Sequence, residues 1–309
     1  FHKLGTSNKK DELIYEEKDK EFNLSISLSR TKKYLFLEIS KTESNEFWLL
    51  NLEKKNTNLE CFLKRKSMHL YYVDDTPEKF FILSNKNDKK NFALYETDLK
   101  SRNKINWKLK VAHKKSELIE NFICFQDFII LETRKKGLPC LIQIERKNNK
   151  KTYITFKDEA YSVSLSNNVD YYAKSFLFTF SNLKLPPTIY SQDLYTKRRK
   201  KIWTQKFLSH KENKYEIKRV AILARDGSRV PVSLIYKKGI NLKKAPLLQY
   251  GYGSYGLIVE PSFKLSFMPL VDEGFILAIA HIRGGQDLGR TWYEQGKMMN
   301  KMNSFFDFI

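Results

Sequence analysis

The sequence predicts an incomplete β-propeller of about four blades over residues 1–205, followed by the first part of an α/β domain over residues 206–309. Two observations carry the propeller: short apolar runs separated by polar turns, and their return at a period near fifty residues. A change of texture after the basic run at 197–201 carries the second part.

The runs alternate or are continuously apolar, four to eight residues long, as strands of antiparallel sheets are. Tyr34-Leu35-Phe36-Leu37-Glu38-Ile39, Phe80-Phe81-Ile82-Leu83, Phe128-Ile129-Ile130-Leu131 and Ser175-Phe176-Leu177-Phe178-Thr179-Phe180 are the clearest. Each leads through a polar turn to a second run ending in a polar-apolar pair: Asn51-Leu52, Asp98-Leu99, Gln143-Ile144 and Asp193-Leu194. The pairs lie 47, 45 and 50 residues apart. An irregular β-sandwich also gives short strands and turns, but four evenly spaced units favour propeller blades, one twisted sheet each. Four are few for a propeller, so further blades are expected on the N-terminal side.

Past residue 205, two strand-like runs at 217–224 and 229–236 meet at Asp226-Gly227, a dipeptide suited to a two-residue hairpin with positive φ at both central positions. Pro246-Leu247-Leu248-Gln249-Tyr250 and Phe275-Ile276-Leu277-Ala278-Ile279-Ala280 are apolar without alternation, the pattern of strands covered on both faces. Residues 263–272 read as a short helix ending near Gly274, and Asn303-Ser304 reads as the N-cap of a last helix.

Composition is that of a folded chain: 309 residues, 41% hydrophobic and 14% aromatic. The formal net charge of +21 raises nucleic-acid binding as a reading. However, the lysines sit in short, dispersed groups (Lys9-Lys10, Lys54-Lys55, Lys89-Lys90, Lys135-Lys136, Lys150-Lys151), which is a solvated surface rather than a phosphate track. Cys61, Cys124 and Cys140 are odd in number and widely spaced, giving neither a disulfide framework nor a zinc pattern, so a reducing, cytoplasmic setting is expected. No apolar stretch is long enough for a membrane helix and no signal segment opens the chain, which begins with Phe1 rather than Met. No histidine pair stands at metal-ligand spacing, and no cofactor is expected.

Tyr250-Gly251-Tyr252-Gly253-Ser254-Tyr255-Gly256, Ala280-His281-Ile282-Arg283-Gly284-Gly285 and Gly289-Arg290-Thr291-Trp292-Tyr293-Glu294 resemble, in that order, the prolyl oligopeptidase family of serine peptidases. The likeness runs from Arg225-Asp226-Gly227-Ser228 to Asp307-Phe308, and it is nearer to the oligopeptidase B branch than to prolyl oligopeptidase proper. Phe1-His2-Lys3-Leu4-Gly5-Thr6 and Pro186-Pro187-Thr188-Ile189-Tyr190 are similar to the propeller of that branch. The resemblance implies about four blades of a seven-bladed propeller and the N-terminal part of an α/β-hydrolase domain. It also implies a serine endopeptidase acting on short peptides, cut after Lys or Arg.

An α/β-hydrolase nucleophile needs G-x-S-x-G, with Asp and then His later in the chain. None of that occurs here, so the triad is expected beyond residue 309 and the 309 residues alone are expected to be inactive. Ser254 has Tyr252 where the motif requires glycine, and His281 comes too early for the catalytic His; both are expected to be structural. The resemblance makes Tyr252 the catalytic donor to the oxyanion, a phenol O–H aimed at developing charge. It makes Tyr255 a substrate contact and Arg283 a residue shaping the substrate site, while Gln286 stands where an acid is expected. The alternative is a non-catalytic propeller scaffold or the remnant of a broken peptidase gene.

Overall fold

Apolar alternation and polar turns organise the first two thirds of the computed structural model into four four-stranded antiparallel sheets, each a simple meander. The structure describes every residue except 55–57, 101–106 and 208–209, so Lys55 of the lysine groups lies outside the described residues. The first sheet contains β1 (Asn23–Leu28), β2 (Tyr34–Lys41), β3 (Ser44–Asn51) and β4 (Glu60–Leu63). The second contains β5 (Tyr71–Asp75), β6 (Lys79–Ser84), β7 (Ala93–Asp98) and β8 (Lys108–Val111). The third contains β9 (Glu117–Cys124), β10 (Phe128–Lys135), β11 (Leu138–Glu145) and β12 (Lys151–Ile154). The fourth contains β13 (Tyr161–Leu165), β14 (Ser175–Asn182), β15 (Thr188–Asp193) and β16 (Arg199–Thr204).

The runs read from the sequence are the second and third strands of each sheet. Their side chains build the cores between neighbours: Phe47, Tyr71 and Phe80 between the first two sheets, Leu83, Leu94 and Ile129 between the second and third, and Ile130, Phe176 and Phe178 between the last two. These are propeller blades packed face to face. The register corrects one sequence assignment. Asn51, Asp98 and Asp193 each pair with the first residue of the preceding strand, and in the third blade that place belongs to Glu145, opposite Phe128. Gln143-Ile144 is therefore two residues early, and the corrected spacing of Asn51, Asp98, Glu145 and Asp193 is 47, 47 and 48. The shift by two preserves the face of the strand, which is why apolarity alone did not reveal it.

One arginine ties the four blades together. Arg30, in the β1–β2 turn, gives its backbone N–H to Asp74 of the second blade at 2.8 Å. Its guanidinium donates to the carbonyls of Cys124 in the third blade (2.8 Å) and of Asn168 and Asp170 (2.7 Å) in the fourth. The basic run at 197–201 is also placed. Arg199, Lys200 and Lys201 lie on β16, an outer strand, where charge opposes edge-to-edge pairing.

The last hundred residues form a mixed sheet in the order β17 (Tyr215–Leu223), β18 (Arg229–Lys237), β20 (Ile276–Ala280), β19 (Leu247–Tyr250). β18 is antiparallel to β20, and β19 is parallel to it. A short helix, α1 (Met268–Asp272), lies between β19 and β20, and α2 (Arg290–Glu294) and α3 (Met302–Phe308) follow β20.

Three expectations are corrected here. The β17–β18 loop is of the three-residue kind, closed by Gly227 N–H to the Ala224 carbonyl (2.9 Å) and Ala224 N–H to the Ser228 carbonyl (2.8 Å), and only Gly227 takes a positive φ, of 81°. β20 is buried, but β19 is not covered on both faces: Leu247 is exposed. Asn303 and Ser304 lie inside α3 instead of capping it, and Lys301 holds the N-cap position.

Polar contacts join the blades to this sheet. Arg134 of β10 is held between Glu120 (2.8 Å) and Glu260. Lys90 pairs with Glu294 (2.7 Å), and Glu43 accepts from Arg290 (3.2 Å) and Lys297 (2.5 Å). Asn91 Oδ1 accepts the backbone N–H of Arg290 at 2.8 Å, so a blade side chain satisfies an open donor at the start of α2.

Candidate functional site

β19 and β20 run in parallel, so the segments that leave their C-terminal ends, residues 251–256 and 281–285, emerge side by side. That edge is where ligands and reacting groups collect in open α/β sheets. The two segments are joined by Gly256 N–H to the Gly284 carbonyl (2.9 Å) and by a parallel bridge between Gly256 and Gly285.

The crossing is tight enough to require glycine. Gly284 has φ 93°, and a Cβ built on it would overlap the Gly253 carbonyl. A Cβ on Gly296, which follows α2, would overlap the Gly284 amide. From α3, Ser304 Oγ donates to the Arg283 carbonyl at 2.6 Å, and Lys301 Nζ donates to the Gly253 carbonyl. Removal from water lowers the Lys301 pKa. The turn bearing Tyr252 is thus fastened by backbone on one side and, on the other, by Ser304 of α3 and by Lys301 at its N-cap.

Tyr252 is 46% exposed and Tyr255 is 70% exposed with φ 54°, so both rings stand out from this fixed turn. A non-glycine residue in that conformation costs about 1 kcal/mol or more, a strain that rigid neighbours must sustain. Ser254 sits in the same turn with its carbonyl accepting from Leu257 N–H at 3.0 Å. No helix follows it directly, so it lacks the strand-to-helix elbow that exposes a nucleophilic serine.

Arg283 is buried behind this turn, beside Gly284 and Gly285. It is 4% exposed, its Nε and Nη2 grip Asp307 at 2.9 and 2.5 Å, and its Nη1 meets Asp226 at 2.5 Å. The hydrogen bonds to Asp307 and Asp226 raise its pKa further, and Arg283 in turn pulls the Asp226 carboxyl down to about 2. Held by both carboxylates, the guanidinium anchors the loop that carries Gly284 and Gly285.

His281 is structural, within a chain of hydrogen bonds that sequence reading missed. Its Nδ1 meets Asp287 Oδ1 at 2.8 Å and its Nε2 meets Ser233 Oγ at 2.8 Å, while Arg219 Nη1 donates to the same Ser233 oxygen at 3.3 Å. Ser233, His281 and Asp287 are 0%, 2% and 3% exposed. The residue types are those of a catalytic relay, yet a serine sealed in the middle of β18 has no path to substrate. The acid expected at Gln286 stands one residue later, at Asp287, where it holds His281.

Comparison with known proteins agrees with this architecture. Residues 1–205 match the model of the prolyl oligopeptidase N-terminal beta-propeller domain, and residues 261–309 match that of the prolyl oligopeptidase family. Dipeptidyl aminopeptidase BI of Pseudoxanthomonas mexicana is 32% identical over 100% of the chain and 43% of its own length. Protease 2 of Moraxella lacunata is 29% identical over 100% of the chain and 44% of its own length. Among solved structures, oligopeptidase B of Trypanosoma brucei with covalently bound antipain aligns at a TM-score of 0.93 and 30% identity, covering 99% of this chain and 45% of that one. The chain spans less than half the length of these relatives. With a match across two thirds of its residues, the chain belongs to the prolyl oligopeptidase family.

Proposed function

We propose that the protein is a serine-type endopeptidase, oligopeptidase B-like, that cleaves short peptides after Lys or Arg. The observation that carries this reading is the turn at 251–256: Tyr252 stands at the C-terminal edge of β19, on a backbone fixed by Gly284, Lys301 and Ser304. In this role the Tyr252 hydroxyl donates to the oxygen that gains negative charge as a serine attacks the peptide carbonyl, and Tyr255 lies against the substrate beside it. A fixed donor needs no reorganisation when the charge develops, which is what makes it catalytic.

The 309 residues contain no G-x-S-x-G, so in this reading the nucleophile and its Asp and His come from other sequence. Residues 1–205 form the propeller and 206–309 the first part of the peptidase domain. The free cysteines suit a reducing compartment such as the cytoplasm.

The test is hydrolysis by the full-length protein of a fluorogenic peptide with Arg before the scissile bond, beside the same peptide with Ala there and a folded protein of similar content. The expected result is rapid cleavage of the Arg peptide alone and none by the 309 residues by themselves. Equal turnover of the Arg and Ala peptides removes the specificity, and no turnover of either supports the scaffold alternative.

A further inference from the structure

A cleft of about 550 Å³ opens on the seam between the first two blades and α2. Lys64, Lys66 and Lys86 line the blade side, and Arg290 and Glu294 line the other. Three acids also line it: Glu43 is held by Arg290 and Lys297, Glu294 by Lys90, and Asp88 stands on the blade side. The aromatic floor includes Trp107, which is 8% exposed and whose indole N–H has no hydrogen-bond partner among the described residues. Lys86 Nζ lies 4.4 Å from the centre of that ring and 4.5 Å from the centre of Tyr95.

The surroundings register a positive field. His69, on the cleft wall, has its pKa lowered by burial first and then by Lys66 and Lys86. Lys86 is lowered by burial first and then by Lys89. Cations gathered in a concave, low-dielectric wall concentrate their field in the opening, so an anion there gains more than it does on a flat surface.

We propose that this cleft binds an acidic peptide segment, its carboxylates meeting Lys64, Lys66 and Lys86 and its backbone lying along the Trp107 wall. A peptide is the proposed occupant because its carboxylates match the three lysines while its backbone has an aromatic side to lie on; a nucleic acid is an outcome of the test. The proposal is independent of the Tyr252 reading, since neither Tyr252 nor Tyr255 lines the cleft.

The experiment measures anisotropy of a fluorescein-labelled hexaglutamate peptide titrated with the full-length protein in about 50 mM salt, where screening is weak. Lys64→Glu with Lys66→Glu removes the cleft field using two exposed side chains. Lys197→Glu with Lys201→Glu makes the same charge change on and beside β16. The expected result is at least about tenfold weaker binding for the cleft pair and less than about twofold for the control, with unchanged melting temperatures. Equal weakening by both pairs means that the overall charge of the protein does the binding, and overturns the site. Tighter, cleft-dependent binding of a single-stranded oligonucleotide of equal charge overturns the peptide assignment. As a second variant, Lys86→Met keeps the side-chain bulk on the aromatic rings; unchanged affinity overturns the part assigned to Lys86.

Discussion

Arg283 and Asp307 form a closed pair across 24 residues: the Asp307 carboxylate takes Nε and Nη2 of Arg283 at 2.9 and 2.5 Å and the Arg283 backbone N–H at 2.8 Å. The Asp307 side chain is fully enclosed, and Arg283 is nearly so. Removing one partner leaves the other charge buried, which commonly costs about 3–5 kcal/mol. Asp307→Asn is therefore expected to cost more than Asp226→Asn, because Asp226 is half open to water. Urea unfolding of both variants checks the order, and a larger loss at Asp226 contradicts it.

The two glycine positions separate strain from collision. Gly227, at φ 81°, has nothing within 4 Å of an added Cβ, so Gly227→Ala is expected to cost only the left-handed backbone penalty of about 1–2 kcal/mol. Gly284 carries a similar φ, but its Cβ meets the Gly253 backbone, which cannot move without displacing Tyr252. Gly284→Ala is expected to exceed the Gly227→Ala loss in thermal unfolding. Equal losses mean that the crossing yields easily.

Asp74 supplies a pH test of the blade assembly. Removal from water pushes its carboxyl up to about 7, against the backbone N–H bonds from Arg30 and Asp75. A carboxyl raised in the folded state contributes most below its unfolded value near 4, where both states are protonated, and that contribution is lost as pH rises towards 7. Asn keeps an oxygen for both N–H groups without the charge. Asp74→Asn is therefore expected to gain melting temperature relative to the parent as pH goes from 5 to 8, and a constant difference contradicts the assignment.

What the sequence made legible follows burial. The second strands of the middle blades, β6 and β10, are buried on both faces because a blade packs on either side, and they read as continuous apolar runs. Outer strands such as β8 and β16 carry Lys and Arg at exposed positions, so no apolar period marks them. The Tyr252 turn was legible only through its likeness to a family. Its supports are not: Ser304 and Lys301 reach backbone carbonyls between 21 and 51 residues away, and no local spacing records such contacts. Asp287 stands one position past the expected acid, and its contact with His281 is made in three dimensions that no motif spacing records.

The last prediction concerns Tyr252 in the full-length protein. Its ring emerges from a turn held by the Gly253–Gly284 crossing and by Lys301, so Tyr252→Phe removes one hydroxyl without altering the backbone that presents it. A donor aimed at charge that exists only in the transition state leaves substrate binding untouched. The expected outcome is a fall in kcat of about a hundredfold to a thousandfold, the range for one lost oxyanion donor, with KM changed little. Tyr255→Ala is expected to show the opposite split, raising KM more than it lowers kcat, since a substrate contact acts in ground and transition states alike. Steady-state kinetics on one Arg-containing peptide measures both. If Tyr252→Phe keeps full kcat while the parent is active, the oxyanion role passes to another donor and Tyr252 is left as a wall of the site.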